Sequence, residues 1–309
     1  MKSIFINKNS QTRSGWKITS VFASFFFAVN MITFLIFFLY SNYQVAFKRV
    51  PQNELTTLVN NLTNSISDIS TTLGLTINVL QCLFLIFFVV LFWKIYDKKP
   101  IRDIGMISLK KGYKDLIIGL AFGAISLLIV FFILLATKCI TLTTPLNKPN
   151  FNISLLTGLI LFIFVGINEE MFARGYCMTV LKQTGNKYVV VIVSSLIFSA
   201  MHSLNPGMSL FSYINLFLFG LLTAYMTLKS QNLWLAIGYH ITWNYFQGNI
   251  CGFLVSGQTT SSMYSLEIGS NSLINGGQFG PEGGIIVTFI ILLNFLYLWK
   301  VYKPSYKVY

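Results

Sequence analysis

ISLLTGLILFIFVGINEEMFARGYCMTVL, residues 153–181, is an apolar run carrying two adjacent glutamates, Glu169 and Glu170, and an arginine, Arg174, with no loop signal separating them from their apolar neighbours. The hydrophobic pattern resumes after Arg174 and continues to Leu181. A segment of this length and character reads as one membrane-crossing helix, which places the three charges near its middle rather than at a wet end. Ionisable side chains inside a membrane helix are costly, so they face protein interior and mark function.

The rest of the chain supports that reading. Of its 309 residues 54% are hydrophobic and only 10% charged, and the mean hydropathy of +0.67 excludes a soluble domain of this size. Further apolar runs fall at 18–41, 72–93, 116–137, 188–203, 209–228, 232–250 and 284–299. The expected fold is an all-α polytopic membrane protein of about eight transmembrane helices with an intramembrane polar cavity. Residues 1–150 hold helices 1–3 and a basic loop, 151–250 the core with helices 4–7, and 251–309 an outer loop and helix 8. The first run follows a basic leader but is too long for a signal peptide and lacks a small-residue cleavage site, so it reads as an uncleaved anchor.

A net charge of +13 could suggest a nucleic-acid partner, but the positions of the charges speak against one. With the N-terminus inside, only Lys48, Arg49, Lys138 and Lys148 of the 22 lysines and arginines fall in outer loops. This asymmetry obeys the positive-inside rule and puts both termini in the cytoplasm of a cell-membrane protein. The expected partners are the lipid bilayer and a protein or peptide substrate. The four cysteines show no metal-finger or redox spacing. Cys139 and Cys251 could meet near the outer face, although free thiols fit better. The segment 251–283, rich in turn formers and without Lys or Arg, reads as a lid or, with more weight, as a disordered connector.

Among the nine acidic residues, only Glu169 and Glu170 lie within these runs, and both histidines, His202 and His240, do so too. Counting inward from Lys182, Lys187 and Lys229 at about 1.5 Å per residue, Glu169, His202 and His240 share a depth of roughly 16–23 Å. Glu170 and Arg174 are spaced to form an ion pair, and Glu169 points about 100° away. His240 and Asn244 share a helix face, as do Phe198 and His202. The set suits amide hydrolysis by activated water, with Glu169 and His202 as base and His240 and Asn244 as oxyanion donors. The runs contain no aspartate, the chain has no H-E-x-x-H and no Gly-x-Ser-Gly, and so a two-aspartate, zincin or rhomboid-like site is not expected. A buried Glu–Arg tie or a buried histidine is often structural when it occurs alone. The coincidence of depth carries the functional reading.

These residues resemble the CAAX prenyl protease and bacteriocin-processing (CPBP) family of intramembrane proteases. "EEMFARG" at 169–175 looks like its E-E-x-x-x-R-G signature, "FSAMH" at 198–202 its F-x-x-x-H motif and "HITWN" at 240–244 its H-x-x-x-N motif, while Ala224 stands where many members have glycine. The resemblance covers about a third of the chain. It implies an intramembrane endopeptidase with catalytic Glu169, His202, His240 and Asn244 and supporting Glu170 and Arg174. It leaves a metal open: Glu169, His202 and His240 are a donor set that could hold zinc. Family roles in CAAX processing, bacteriocin maturation or self-immunity do not select a substrate here. The alternative is a non-enzymatic membrane immunity or partner-binding protein that keeps the fold.

Overall fold

The computed structural model describes residues 4–303. Lys2 and Lys307, used in the charge argument, lie outside the described residues. Helix α1 (Ser14–Ala46) is followed by α2 (Gln52–Ser67), α3 (Thr72–Tyr96) and α4 (Leu109–Ala136). A short strand β1 (Ile140–Leu142) leads to α5 (Ile153–Glu170), which passes through a π-helical turn, Met171–Cys177, into α6 (Met178–Leu181). Then come α7 (Lys187–Met201), α8 (Leu210–Ser230) and α9 (Trp234–Tyr245), the last prolonged by a second π turn, Phe246–Ile250. The strand β2 (Leu266–Ile268), the one-turn helix α10 (Ser272–Asn275) and α11 (Ile285–Lys300) complete the chain.

All eight apolar runs are helical. Five helical stretches are long and apolar enough to cross a membrane: Ser14–Ala46, Thr72–Tyr96, Ile101–Ala136, Ile153–Thr184 and Leu210–Ser230, whereas Lys187–Met201 and Ile285–Lys300 are shorter. The protein is an all-α integral membrane protein. Side chains such as Phe26, Phe34, Phe38 and Leu39 along α1 are exposed, as expected where lipid rather than protein is the neighbour.

Polar contacts define the two ends of the bundle. At the basic end, Lys17 of α1 pairs with Asp97 after α3 at 2.6 Å, and Lys229 of α8 donates to the Leu298 and Trp299 carbonyls of α11. Asp115, fully buried, accepts from Asn232 Nδ2 and from the Tyr302 hydroxyl, each at 2.7 Å. Here the sequence reading needs correction: α4 begins at Leu109, about two turns before the apolar run, so one aspartate does lie inside a helix that the run alone excluded. It sits in the second turn of α4, with neutral donors among its partners.

The opposite end carries α2 and the segment 251–283. That segment is folded, contrary to a disordered connector. β2 pairs antiparallel with β1, Ile140 opposite Ile268 and Leu142 opposite Leu266. Glu282 is buried and accepts from Trp243 Nε1 at 3.3 Å and from the Ser256 backbone N–H and hydroxyl at 3.0 and 2.9 Å. A buried carboxylate with three donors is a strong local constraint. The polar stretch before α3 also contains a helix, α2. The four cysteines are free, so Cys139 and Cys251 are not joined.

The helix that presents His240 is fixed by close packing on α4. A Cβ on Gly119 would collide with the Leu235 carbonyl and one on Gly123 with that of Tyr239. Small residues are what let membrane helices approach to backbone contact. The Thr242 hydroxyl adds an interhelical bond to the Leu120 carbonyl at 2.7 Å.

Candidate active site

Glu169 and Glu170 are the last α-helical residues of α5, and the wider π turn begins directly after them. The second π turn begins at Phe246, two residues after Asn244. Single π turns inside α-helices recur at functional sites because they shift the faces that follow. Two of them adjoining the same group of side chains mark the place.

His202 caps the C-terminal end of the fifteen-residue α7. Its Nδ1 lies 2.9 Å from the Phe198 carbonyl oxygen, so Nδ1 carries the proton and Nε2 faces the site as an acceptor. The Phe198 ring also packs on the imidazole at 5.0 Å. His240 is oriented by Glu170, whose Oε1 accepts from Nδ1 at 2.9 Å. Phe219 from α8 walls the same ring at 5.1 Å. Both histidines therefore turn Nε2 toward Glu169, whose Oε2 lies 3.8 Å from that of His202 and 3.9 Å from that of His240. This oxygen has no hydrogen-bond partner among the described residues.

Glu170 has a second tie. Its Oε2 lies 3.2 Å from Arg174 Nε, both side chains fully buried, and the guanidinium sits over the Phe198 ring at 4.2 Å, a cation–π contact favoured by desolvation. Glu170 thus joins Arg174 to His240. The sequence supplied the first contact through its spacing, but not the second, which links residues 70 apart in the chain.

Glu169, His202 and Asn244 line a cavity of about 450 Å³ together with Asn168 and residues from α1, α3, α5 and the loop end. Asn244 is largely buried and lines that space. The six residues expected at the site are therefore brought into one cluster, with Glu169, His202 and Asn244 on the cavity wall and Glu170, Arg174 and His240 behind it. Asn168, which also borders the cavity, gave no signal in sequence, because one amide among apolar residues has many structural uses.

Two imidazoles and a carboxylate are the donor types that zinc takes. Among the described residues, however, no group of three or more His, Cys, Asp or Glu side chains stands in an arrangement that could hold a metal ion. Glu169, His202 and His240 would be the residues to hold zinc, and the chemistry below uses the chain's own groups.

Residues 151–246 match the family described as Type II CAAX prenyl endopeptidase Rce1-like. The match covers 96 of the 309 residues. It contains all six residues of the cluster and agrees with the CPBP resemblance of the three motifs. Comparison of the chain with curated proteins and with solved structures finds no match. The matched segment is similar to a membrane protease of the general CAAX kind and spans α5 to α9.

Proposed function

We propose that the chain is an intramembrane endopeptidase in which Glu169 is the general base. One observation carries this: a buried carboxylate oxygen of Glu169 without a hydrogen-bond partner faces the Nε2 atoms of His202 and His240, at 3.8 and 3.9 Å, and Glu169 and His202 line a cavity inside a membrane protein. These separations exceed a direct hydrogen bond and leave the oxygen available to a water molecule. Water held between Glu169 and His202 Nε2 gives its proton to the carboxylate as its oxygen attacks the scissile carbonyl carbon. The carbonyl oxygen becomes an oxyanion, received by the Asn244 amide and by His240 Nε2–H. Because His240 Nδ1 already donates to Glu170, donation from Nε2 requires a doubly protonated ring, and the Glu170 carboxylate is its counter-charge. The proton held by Glu169 and His202 then passes to the leaving amine as the C–N bond breaks. Both chain termini lie on the cytoplasmic side in this reading, because the basic segments gather at that end.

The test is cleavage of membrane-anchored peptides by purified protein in detergent. Glu169→Ala should lower kcat/KM by roughly 10²–10⁴, and Asn244→Ala by roughly 10²–10³ through kcat. Cleavage by Glu169→Ala at the wild-type rate would sink the assignment. Measuring with and without chelator reads the metal question separately.

A further inference from the structure

We infer that a second cavity, of about 760 Å³ at the basic end of the bundle, binds an anionic phospholipid, its headgroup phosphate among Arg102, Lys182 and Arg174 and an acyl chain beside Val190, Val191 and Leu228. The inference stands apart from the peptidase reading, because it concerns binding and needs no cleavage. The cavity lies between the turn Ile101–Ile104, the stretch from Arg174 to Lys182 and the end of α8. Its volume falls within the roughly 300–1,000 Å³ of sites that hold a whole small molecule, well beyond the room a lone ion needs.

Charge is the first support. Three cationic side chains and one acidic one, Asp103, line the cavity. Arg102 Nε and Asp103 are 3.8 Å apart and both side chains are exposed, a contact worth little in water, so the cavity keeps a positive excess. Arg174 is fully buried, and Glu170 Oε2 lies 3.2 Å from its Nε. Neither Nη1 nor Nη2 has a hydrogen-bond partner among the described residues. Buried N–H donors left without an acceptor are costly. Phe198 covers one face of the guanidinium, so an acceptor has to meet its edge, and the cavity that Arg174 borders is where one can come from. A phosphate, with several oxygens, matches the planar fork of a guanidinium.

The second support assigns the phosphate to a lipid. A smaller cavity of about 270 Å³ shares Lys182 and Leu228 with the first and adds Lys187, Val190 and Val191. Leu228 is 48% exposed and Tyr188, beside Lys187, 66%, as side chains facing lipid at a helix end are. The two cavities thus lead from cationic groups to apolar ones at the end of the bundle, which is the order of chemistry along a phospholipid. A free phosphate would use the cationic part alone. Basic pockets between membrane helices take anionic headgroups in this way.

The test uses the full chain, purified in a neutral detergent and titrated with phosphatidylglycerol, phosphatidylcholine or inorganic phosphate, with binding followed by the rise in unfolding temperature. Phosphatidylglycerol should raise it saturably and the other two should not. An equal rise with phosphatidylcholine overturns the anionic class, and an equal rise with inorganic phosphate overturns the lipid. Arg102→Gln with Lys182→Gln, both at exposed positions, should weaken phosphatidylglycerol binding at low salt by roughly thirtyfold, about fivefold for each charge, and Asp103→Asn should tighten it. Lys99→Gln with Lys110→Gln removes the same charge from exposed lysines outside the cavity and should bind as wild type does. An equal loss in that pair would make the attraction a general surface effect and overturn the site. Bound lipid should also slow hydrogen exchange across 101–107 and 174–182 in the wild type, and unchanged exchange there overturns the location.

Discussion

Glu170 carries two jobs that a single sequence signature does not separate. It neutralises Arg174 in a fully buried pair and it fixes the His240 ring through Nδ1. Glu170→Ala would leave a buried guanidinium without its partner, a change that costs about 3–5 kcal/mol. Detergent-purified Glu170→Ala should therefore unfold at a clearly lower temperature than wild type. Glu170→Gln keeps an acceptor for Nδ1 but removes the counter-charge for a doubly protonated His240. It should retain more stability than the alanine variant and still lose kcat with little change in KM. Thermal unfolding followed by tryptophan fluorescence, together with steady-state kinetics, separates the two roles. If Glu170→Gln had wild-type kcat, Glu170 would be a structural tie alone.

At the scale of elements, the site depends on how closely α9 lies on α4. The Gly119 and Gly123 positions allow that approach, and Gly238 of α9 meets the Leu116 carbonyl in return. Gly123→Val should push α9 outward, with an overpacking cost of about 1–3 kcal/mol, and should displace His240 and Asn244 together. The expected result is a lowered unfolding temperature and a large loss of kcat in one variant, whereas Gly185→Ala, in a turn where a Cβ meets nothing nearby, should leave kcat intact despite its left-handed backbone. Hydropathy alone disclosed every one of the long helices, because twenty apolar residues in a row have few other uses. The matched depth of Glu169, His202 and His240 was legible too, since depth follows from counting residues along helices. The π turns after Glu170 and Tyr245 were not, because a 3.6-residue period carries no mark of where a wider turn intervenes. Asp115 was missed for a simpler reason: the apolar run that defined α4 is shorter than the helix.

For the whole molecule, the segment 251–283 is the part that composition misjudged. Its glycines and serines suggest disorder, but its order comes from contacts distant in sequence: pairing with β1, and Glu282 reaching Trp243 and Ser256. Those contacts join the roof of the cavity to the helix that bears His240 and Asn244, so roof and site are one mechanical unit. Glu282→Ala would leave the Trp243 indole N–H and the Ser256 donors without their acceptor, at about 1–3 kcal/mol for each buried group left unpaired. The loss falls on a rim element rather than on the helix core, so local opening should increase more than global unfolding. Hydrogen exchange should therefore quicken across 252–283 while α4 and α8 keep wild-type protection. Because Val255, Ser256 and Gln258 line the same cavity as Glu169, the same variant should change KM more than kcat. Uniformly faster exchange throughout the bundle would instead make Glu282 a support of the entire fold, and unchanged exchange would mean that the β1–β2 pairing alone holds the roof.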